Sequence, residues 1–379
     1  MFNILISLFI LTSVIFIPNI ADNFWIPKSA IFLIGGFILL AYNFISRQEK
    51  ISTFKNKWIG LILIYIILSF GWHFYRPLVM AGEGQKVLWN IWNFLPSLNV
   101  ILAIFLIKDL VEYTDSLSRW VIMAKVLCWV CFGFSIYALL QFFGLDQIFT
   151  KDLKWINITK TTYMITFMGN SMHSANFIAM LSPLCLMFKD LRYKIIYLLA
   201  FITLILINSA ISMFAFIMGF LIYLIFMKRF KMLTCVILWL SVIAVLIYKY
   251  HPQYFCFSGR FELWKLTLLD WKIKPLFGWG LGSILLRQIR DHTTSLALAV
   301  ENDFLEILHN GGIFLFVLVC GYLLNLFKRI IMVKDTMLLA GYTIAFIVYL
   351  VLGMGSFLIS IAPLALVGIL YISALEAQL

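Results

Sequence analysis

The chain is short of charge. Only 12% of its 379 residues are Asp, Glu, Lys or Arg, while 63% are hydrophobic. An ordinary soluble domain carries about twice that share of charge. Cysteine is present but badly placed for cross-linking. Cys128, Cys131, Cys185, Cys235 and Cys320 fall in apolar runs, and only Cys256 lies in a loop. A disulfide framework is therefore not expected. Cys128 and Cys131 have C-x-x-C spacing, but both belong to an apolar helical run, which argues against a redox role. No stretch alternates apolar and polar residues over the length of a barrel strand, so a membrane β-barrel is not expected either. There is no internal repeat and no low-complexity linker, so residues 1–379 read as a single membrane domain.

What the chain has instead is long apolar runs, and its mean hydropathy is +1.01. Each run approaches the roughly 20 residues that cross a bilayer. Backbone polar groups in lipid must be satisfied within the segment, which makes the runs helices. The expected fold is all-α and polytopic, with about twelve transmembrane helices. The runs lie at 2–20, 28–45, 58–73, 91–107, 120–143, 172–188, 193–208, 211–227, 232–248, 311–327, 336–352 and 356–374. The first lacks a basic leading segment and a small-residue cleavage site, so it is read as a retained span. Trp and Tyr gather at run ends, as in an interfacial belt.

The net charge of +12 has two readings, a nucleic-acid surface or a membrane with basic loops. The placement of Lys and Arg favours the second. Alternate short loops carry Arg47, Lys50, Lys55 and Lys57; Lys108 and Arg119; Lys189, Arg192 and Lys194; Lys228, Arg229 and Lys231; and Lys328, Arg329 and Lys334. Short basic loops face the cytoplasm. That orientation puts both termini inside and leaves loops 74–90, 144–171 and 249–310 outside. Lys125, about one turn into a run, reads as a cation snorkelling to the inner interface.

Loop 249–310, between the ninth and tenth runs, is the largest external segment and holds the unusual residues. It contains Gly259-Arg260-Phe261-Glu262-Leu263-Trp264, then Pro275-Leu276-Phe277-Gly278-Trp279-Gly280-Leu281-Gly282. Glu301-Asn302-Asp303-Phe304-Leu305 follows, with Gly312 seven residues further on. The spacing of Phe261, Trp264, Leu268 and Trp271 predicts a short helix from about 260 to 272 with those residues on one side. Phe304, Leu305 and Leu308 predict a second helix leading into the tenth run. The glycines lack the strand and crossover of a dinucleotide loop. They read as a tight turn that folds the loop back on the membrane.

These three segments, in this order, resemble the O-antigen ligase and O-antigen polymerase family. An upstream stretch, Leu140-Gln141-Phe142-Phe143-Gly144-Leu145-Asp146 followed by Gly169-Asn170, Asn176 and Pro183, is also similar to the family pattern. The resemblance covers roughly residues 130–325. It implies a membrane glycosyltransferase that moves a glycan from a polyprenyl-diphosphate carrier to an acceptor sugar hydroxyl on the periplasmic face of a bacterial inner membrane. The acceptor would be lipid A–core for a ligase or a second lipid-linked repeat unit for a polymerase. It further implies that no cofactor and no metal are used, and the external loops hold no Asp-x-Asp pair.

Such chemistry needs cations for the diphosphate and a base for the acceptor proton. On that logic Arg260 is the first candidate for a diphosphate contact, with Arg287, Arg290 and Arg76 behind it; each could instead be an interfacial snorkelling residue. Trp264 and Asn302, within the matching segments, and Asn170 are candidate substrate contacts. His173 and Asn176 could also line an acceptor cleft, or could be ordinary helix-end polar residues. Where the family has His before Asn-Asp, this chain has Glu301, which can still accept a proton. Its bland alternative is a helix cap. His309 and His292 are weaker candidates for the base. A second departure is Asn208-Ser209-Ala210-Ile211-Ser212, where the family has Ser-Arg, so one phosphate-binding arginine is missing. That favours a divergent polymerase or relative over a standard ligase. A flippase of lipid-linked oligosaccharide is the competing function, and a non-catalytic scaffold is a third. A transporter should place charge inside its spans, and this chain has almost none there.

Overall fold

A computed structural model describes residues 2–15, 25–47, 57–74, 102, 104–107, 117–146, 164–250, 260–280, 300–333, 336–356, 358–359 and 361–379. Among them the regular structure is helical throughout and no strand forms. In chain order the helices are α1 (Phe2–Val14), α2 (Trp25–Arg47), α3 (Lys57–Phe74), α4 (Leu117–Phe142), α5 (Ser171–Leu181) and α6 (Leu191–Ile207). They continue with α7 (Ala210–Phe226), α8 (Phe230–Tyr250), α9 (Arg260–Trp271), α10 (Asp303–Met332), α11 (Met337–Gly353) and α12 (Ala362–Glu376). Two helices, α4 and α10, are long and apolar enough to cross a membrane by length and composition. Several others, α7, α11 and α12 among them, are apolar but shorter.

Helix ends follow capping chemistry. Asn170, Asp190, Asn302 and Thr336 accept backbone N–H bonds at the starts of α5, α6, α10 and α11. Each satisfies one of the donors a helix leaves unpaired at its first turn. Asn208 ends α6 in a left-handed conformation (φ 59°), so the departure from the family pattern at 208–212 covers the α6–α7 link, Asn208-Ser209, and the first turn of α7. The run expected at 172–188 is not one continuous α-helix. It passes into a 3-10 turn, Ser182–Met187, where Pro183 removes a backbone donor.

The core lies around α5, α11 and α12. From His173 to Leu181 every residue of α5 is buried. Around these pack α4, α6, α7 and the ends of α1 and α2. Tyr371 Oη donates to Met180 O and Tyr342 Oη to Trp120 O, both at 2.8 Å, tying α12 to α5 and α11 to α4. Lys28, 1% exposed, donates to the carbonyls of Ser13 and Ile15 at 2.9 Å and Thr12 at 3.3 Å, capping the end of α1. The outer faces stay apolar: Ile34, Phe37 and Ile38 on α2, Leu238 and Trp239 on α8, and Leu324 and Ile331 on α10 are exposed. Cys128 and Cys131 are buried and free, and Lys125 is exposed with its ammonium over the Phe188 ring.

The expected helix at 260–272 is present as α9, Arg260–Trp271. Phe261 and Leu268 remain exposed, whereas Trp264 is half-buried and Thr267 buried. The helix expected from about 304 is continuous with the following run, across a kink. Gly312 sits at φ 65°, ψ −172° inside α10. The arm ahead of it holds Asp303, Glu306, His309 and Asn310; the apolar arm follows.

Candidate functional site

The site forms where three helix starts meet. Arg260 is the first residue of α9, and Glu301 stands immediately before Asn302, the N-cap of α10. Arg260 Nε donates to Glu301 Oε2, an ion pair between residues 41 apart in the chain. Arg260 Nη2 meets Met172 Sδ at 3.2 Å, and Met172 is the second residue of α5. The first turns of α5, α9 and α10 therefore converge on one guanidinium. The pair is open to solvent: the side chains are 20% and 32% exposed.

Glu301-Asn302-Asp303 divide the work. Asn302 Oδ1 accepts from Leu305 N at 3.0 Å, and its Nδ2 donates to Met354 O at 2.8 Å. Both ends of that amide are engaged in holding the start of α10 to the end of α11. Asp303 is buried; its carboxylate accepts from Leu358 N at 3.2 Å and Ile359 N at 3.4 Å. Burial pushes the Asp303 carboxyl well above the usual carboxylate range, and the Glu306 carboxylate one turn on adds to this. A methyl on Gly353 would lie 2.9 Å from Asp303 Oδ2, so this glycine makes room for the acid. With α10 anchored on both flanks, Glu301 is held in a left-handed backbone, φ 53°, which only a well-determined surrounding maintains. Glu301 is thus not the cap; Asn302 is.

Trp264 reaches the site as a brace. Its Nε1 donates to Val300 O at 3.1 Å, fastening α9 to the strand of chain that enters Glu301. Asn170 is exposed and its Oδ1 caps α5 by accepting at 2.8 Å from the backbone N of Met172, the residue whose thioether lies against Arg260. Behind it runs a buried polar chain: Ser212 Oγ donates to Asn176 Oδ1 at 2.7 Å, and Asn176 Nδ2 donates to Ser356 Oγ at 2.8 Å. Asn176 thereby ties α5 to α7 and to the turn that receives Asp303.

The glycine-rich turn folds back as expected, but onto a helix break. Trp279 N donates to His309 O at 3.0 Å and Gly280 N to Asn310 O at 2.8 Å. In return Ile313 N donates to Pro275 O at 2.8 Å. The turn supplies the hydrogen bonds that the kink at Gly312 removes from α10. Gly278 and Gly312 have φ of 68° and 65° and lie backbone to backbone. His309, 2% exposed, stacks on Trp279 with ring centroids 6.4 Å apart and has Nε2 3.8 Å from Asp270 Oδ2. The Lys274 ammonium covers the Trp279 ring at 3.9 Å. His309 is therefore part of the clamp on the kink, about two helical turns from Glu301.

Of the residues singled out from sequence, Arg260, Glu301, Trp264 and Asn302 come together, with Asn170 beside them through Met172. Arg76, Arg287, Arg290 and His292 lie outside the described residues. Met172 and Asp303 were missed as partners. Asp303 belongs to the matching segment, and an acid next to an N-cap was the available signal; nothing in sequence marks Met172. Among the described residues no three His, Cys, Asp or Glu side chains stand together as metal ligands.

The anchoring role of Asp303 is testable. Alanine there leaves the Leu358 and Ile359 N–H groups unpaired, the first of them buried, and is expected to cost about 1–3 kcal/mol. Asparagine, which keeps an acceptor, should cost less. Thermal unfolding of the purified variants checks this, and equal midpoints for wild type and Asp303→Ala would remove the role.

No family model matches the chain, and no curated protein is similar to it, so the site is read from its own geometry.

Proposed function

We propose that this chain is a polytopic inner-membrane glycosyltransferase that passes a glycan from a polyprenyl-diphosphate carrier to an acceptor sugar hydroxyl at the periplasmic face. The observation that carries the reading is the pairing of Arg260 with Glu301. Two segments noted for their likeness to the O-antigen ligase and polymerase family, 41 residues apart, contribute one cation and one carboxylate to the same point. In the reaction the acceptor oxygen bonds to the anomeric carbon while that carbon's bond to the diphosphate oxygen breaks. Arg260 receives the charge that develops on the leaving diphosphate. Glu301 takes the hydroxyl proton. The guanidinium supplies positive charge for departure, and the proposed reaction, like that of the family the chain resembles, uses no metal.

The exposed apolar faces of α2, α8 and α10 support the membrane setting, because a soluble monomer rarely exposes so much apolar surface. The proposed arrangement is twelve crossings with both termini cytoplasmic. In it the Arg260 end of the bundle is periplasmic, opposite Arg329 and Glu376, which pair at 2.6 Å.

A flippase is the competing reading, and buried Lys28 is the feature that would favour it. Its ammonium is already held by three carbonyls at the end of α1. The two functions separate in proteoliposomes supplied with a lipid-diphosphate-linked glycan and an acceptor. A transferase forms the new glycosidic bond and releases polyprenyl diphosphate, without nucleotide sugar and in the presence of EDTA. Movement of the lipid across the bilayer with no new bond would rule the transferase out. In cells, deletion separates the two transferases. Loss of all glycan on lipid A–core indicates a ligase, and retention of single repeat units a polymerase.

A further inference from the structure

The two roles just assigned conflict in the geometry observed. Arg260 can grip a phosphate only with its fork free, yet Nε is bonded to Glu301 and Nη2 lies against Met172. Glu301 can take the acceptor proton only with a carboxylate oxygen free to face it, yet Oε2 is engaged on Arg260 Nε. Cation and base are each occupied by the other.

We propose that the Glu301 carboxylate is an internal stand-in for the donor's phosphate, and that donor binding displaces it from Arg260 and so releases the base. The inference rests on the transferase reading above. Three features of the site support it. First, the ion pair is partly exposed, at 20% and 32% for the two side chains, so an incoming anion can reach it. Second, a diphosphate offers the guanidinium fork several charged oxygens, which a single carboxylate oxygen on Nε does not match. The exchange therefore favours the donor. Third, Glu301 can leave without dismantling the site. Asn302 and Asp303 hold the start of α10 through Met354, Leu358 and Ile359, and Trp264 holds Val300. Rotation of the Glu301 side chain alone breaks the pair. Its left-handed backbone, φ 53°, is what those anchors impose. The base thus becomes available only once a diphosphate has taken its place on Arg260.

The consequence is a separation of binding from turnover at one residue. If Glu301 competes with the donor, neutralising it strengthens donor binding while slowing the reaction. If the pair were only structural, neutralising it would weaken or leave unchanged the binding. The full chain in lipid nanodiscs is titrated with farnesyl diphosphate, with farnesol as the phosphate-free control. Glu301→Gln is expected to bind farnesyl diphosphate about fivefold tighter than wild type, the scale of a partly exposed ion pair. Glu301→Asn keeps a residue that tolerates the left-handed backbone and should behave alike, which guards against a local folding effect. Farnesol should bind all forms equally. In the transfer assay the donor KM of Glu301→Gln should fall together with kcat. Binding by both neutral variants that is no tighter than wild type, with Arg260→Gln still binding weakly, overturns the displacement and leaves the transferase reading standing. Equal binding by wild type and Arg260→Gln overturns the assignment of Arg260 itself, and the displacement with it.

Discussion

Glutamine at Arg260 is expected to reduce glycan transfer by about two to three orders of magnitude, the usual effect of removing one preorganised donor from developing charge. The guanidinium stands at the meeting of α5, α9 and α10, with Glu301 and Met172 as its observed partners. Glutamine keeps much of the length and loses the charge, so the leaving diphosphate would lose its cation. Lysine should restore only part of the rate, because an ammonium is a point charge without the planar fork. The measurement is the transfer rate in proteoliposomes at saturating donor, beside thermal unfolding of the same preparation. A rate within threefold of wild type for Arg260→Gln would mean that the diphosphate is held elsewhere. The loss should not be one of folding, since Asn302, Asp303 and Trp264 anchor the same region independently of Arg260.

Alanine at Gly312 is expected to damage the fold rather than the chemistry. A Cβ there would lie 2.2 Å from Leu276 O and 2.6 Å from Gly278 N, both backbone atoms that cannot swing aside. The residue also has φ 65°, which costs a non-glycine residue roughly 1–2 kcal/mol. Relief requires the turn at 275–280 to lift from the kink, breaking its bonds to His309, Asn310 and Ile313. Each lost bond adds about 1 kcal/mol. The sum, about 4–5 kcal/mol, is a large part of the stability of a typical protein. Gly278→Ala should act alike, since its Cβ would lie 2.5 Å from Gly312 N and His309 O. Thermal unfolding in detergent checks both, and midpoints equal to wild type would show that the turn is not needed to hold the broken helix.

The legible and illegible parts of this protein divide by the range of the interactions involved. Helix 260–271 could be read from apolar spacing, and the helix start at 303 from Asn followed by an acidic first turn. Periodicity and capping are local, acting over a few residues. Apolar spacing alone does not decide how deeply each residue of α9 is covered: Phe261 is exposed, whereas Trp264 is half-buried and donates to Val300, 36 residues away. The Pro275–Gly280 turn was foreseen as a fold-back, but its target was not. The target is a break in α10 at which the turn supplies the missing hydrogen bonds.

The same division holds at the Arg260–Glu301 site. Its chemical alphabet, an arginine after glycine and a carboxylate before Asn-Asp, was written in the chain. So was the all-helical architecture, because apolar runs of this length can satisfy their backbones in no other way. The meeting of Arg260 with Glu301, the anchoring of Asp303 by the 358–359 backbone and the contact with Met172 join elements 41 to 88 residues apart. Such contacts depend on how α5, α9, α10 and α11 pack, and no local rule along the chain encodes that packing.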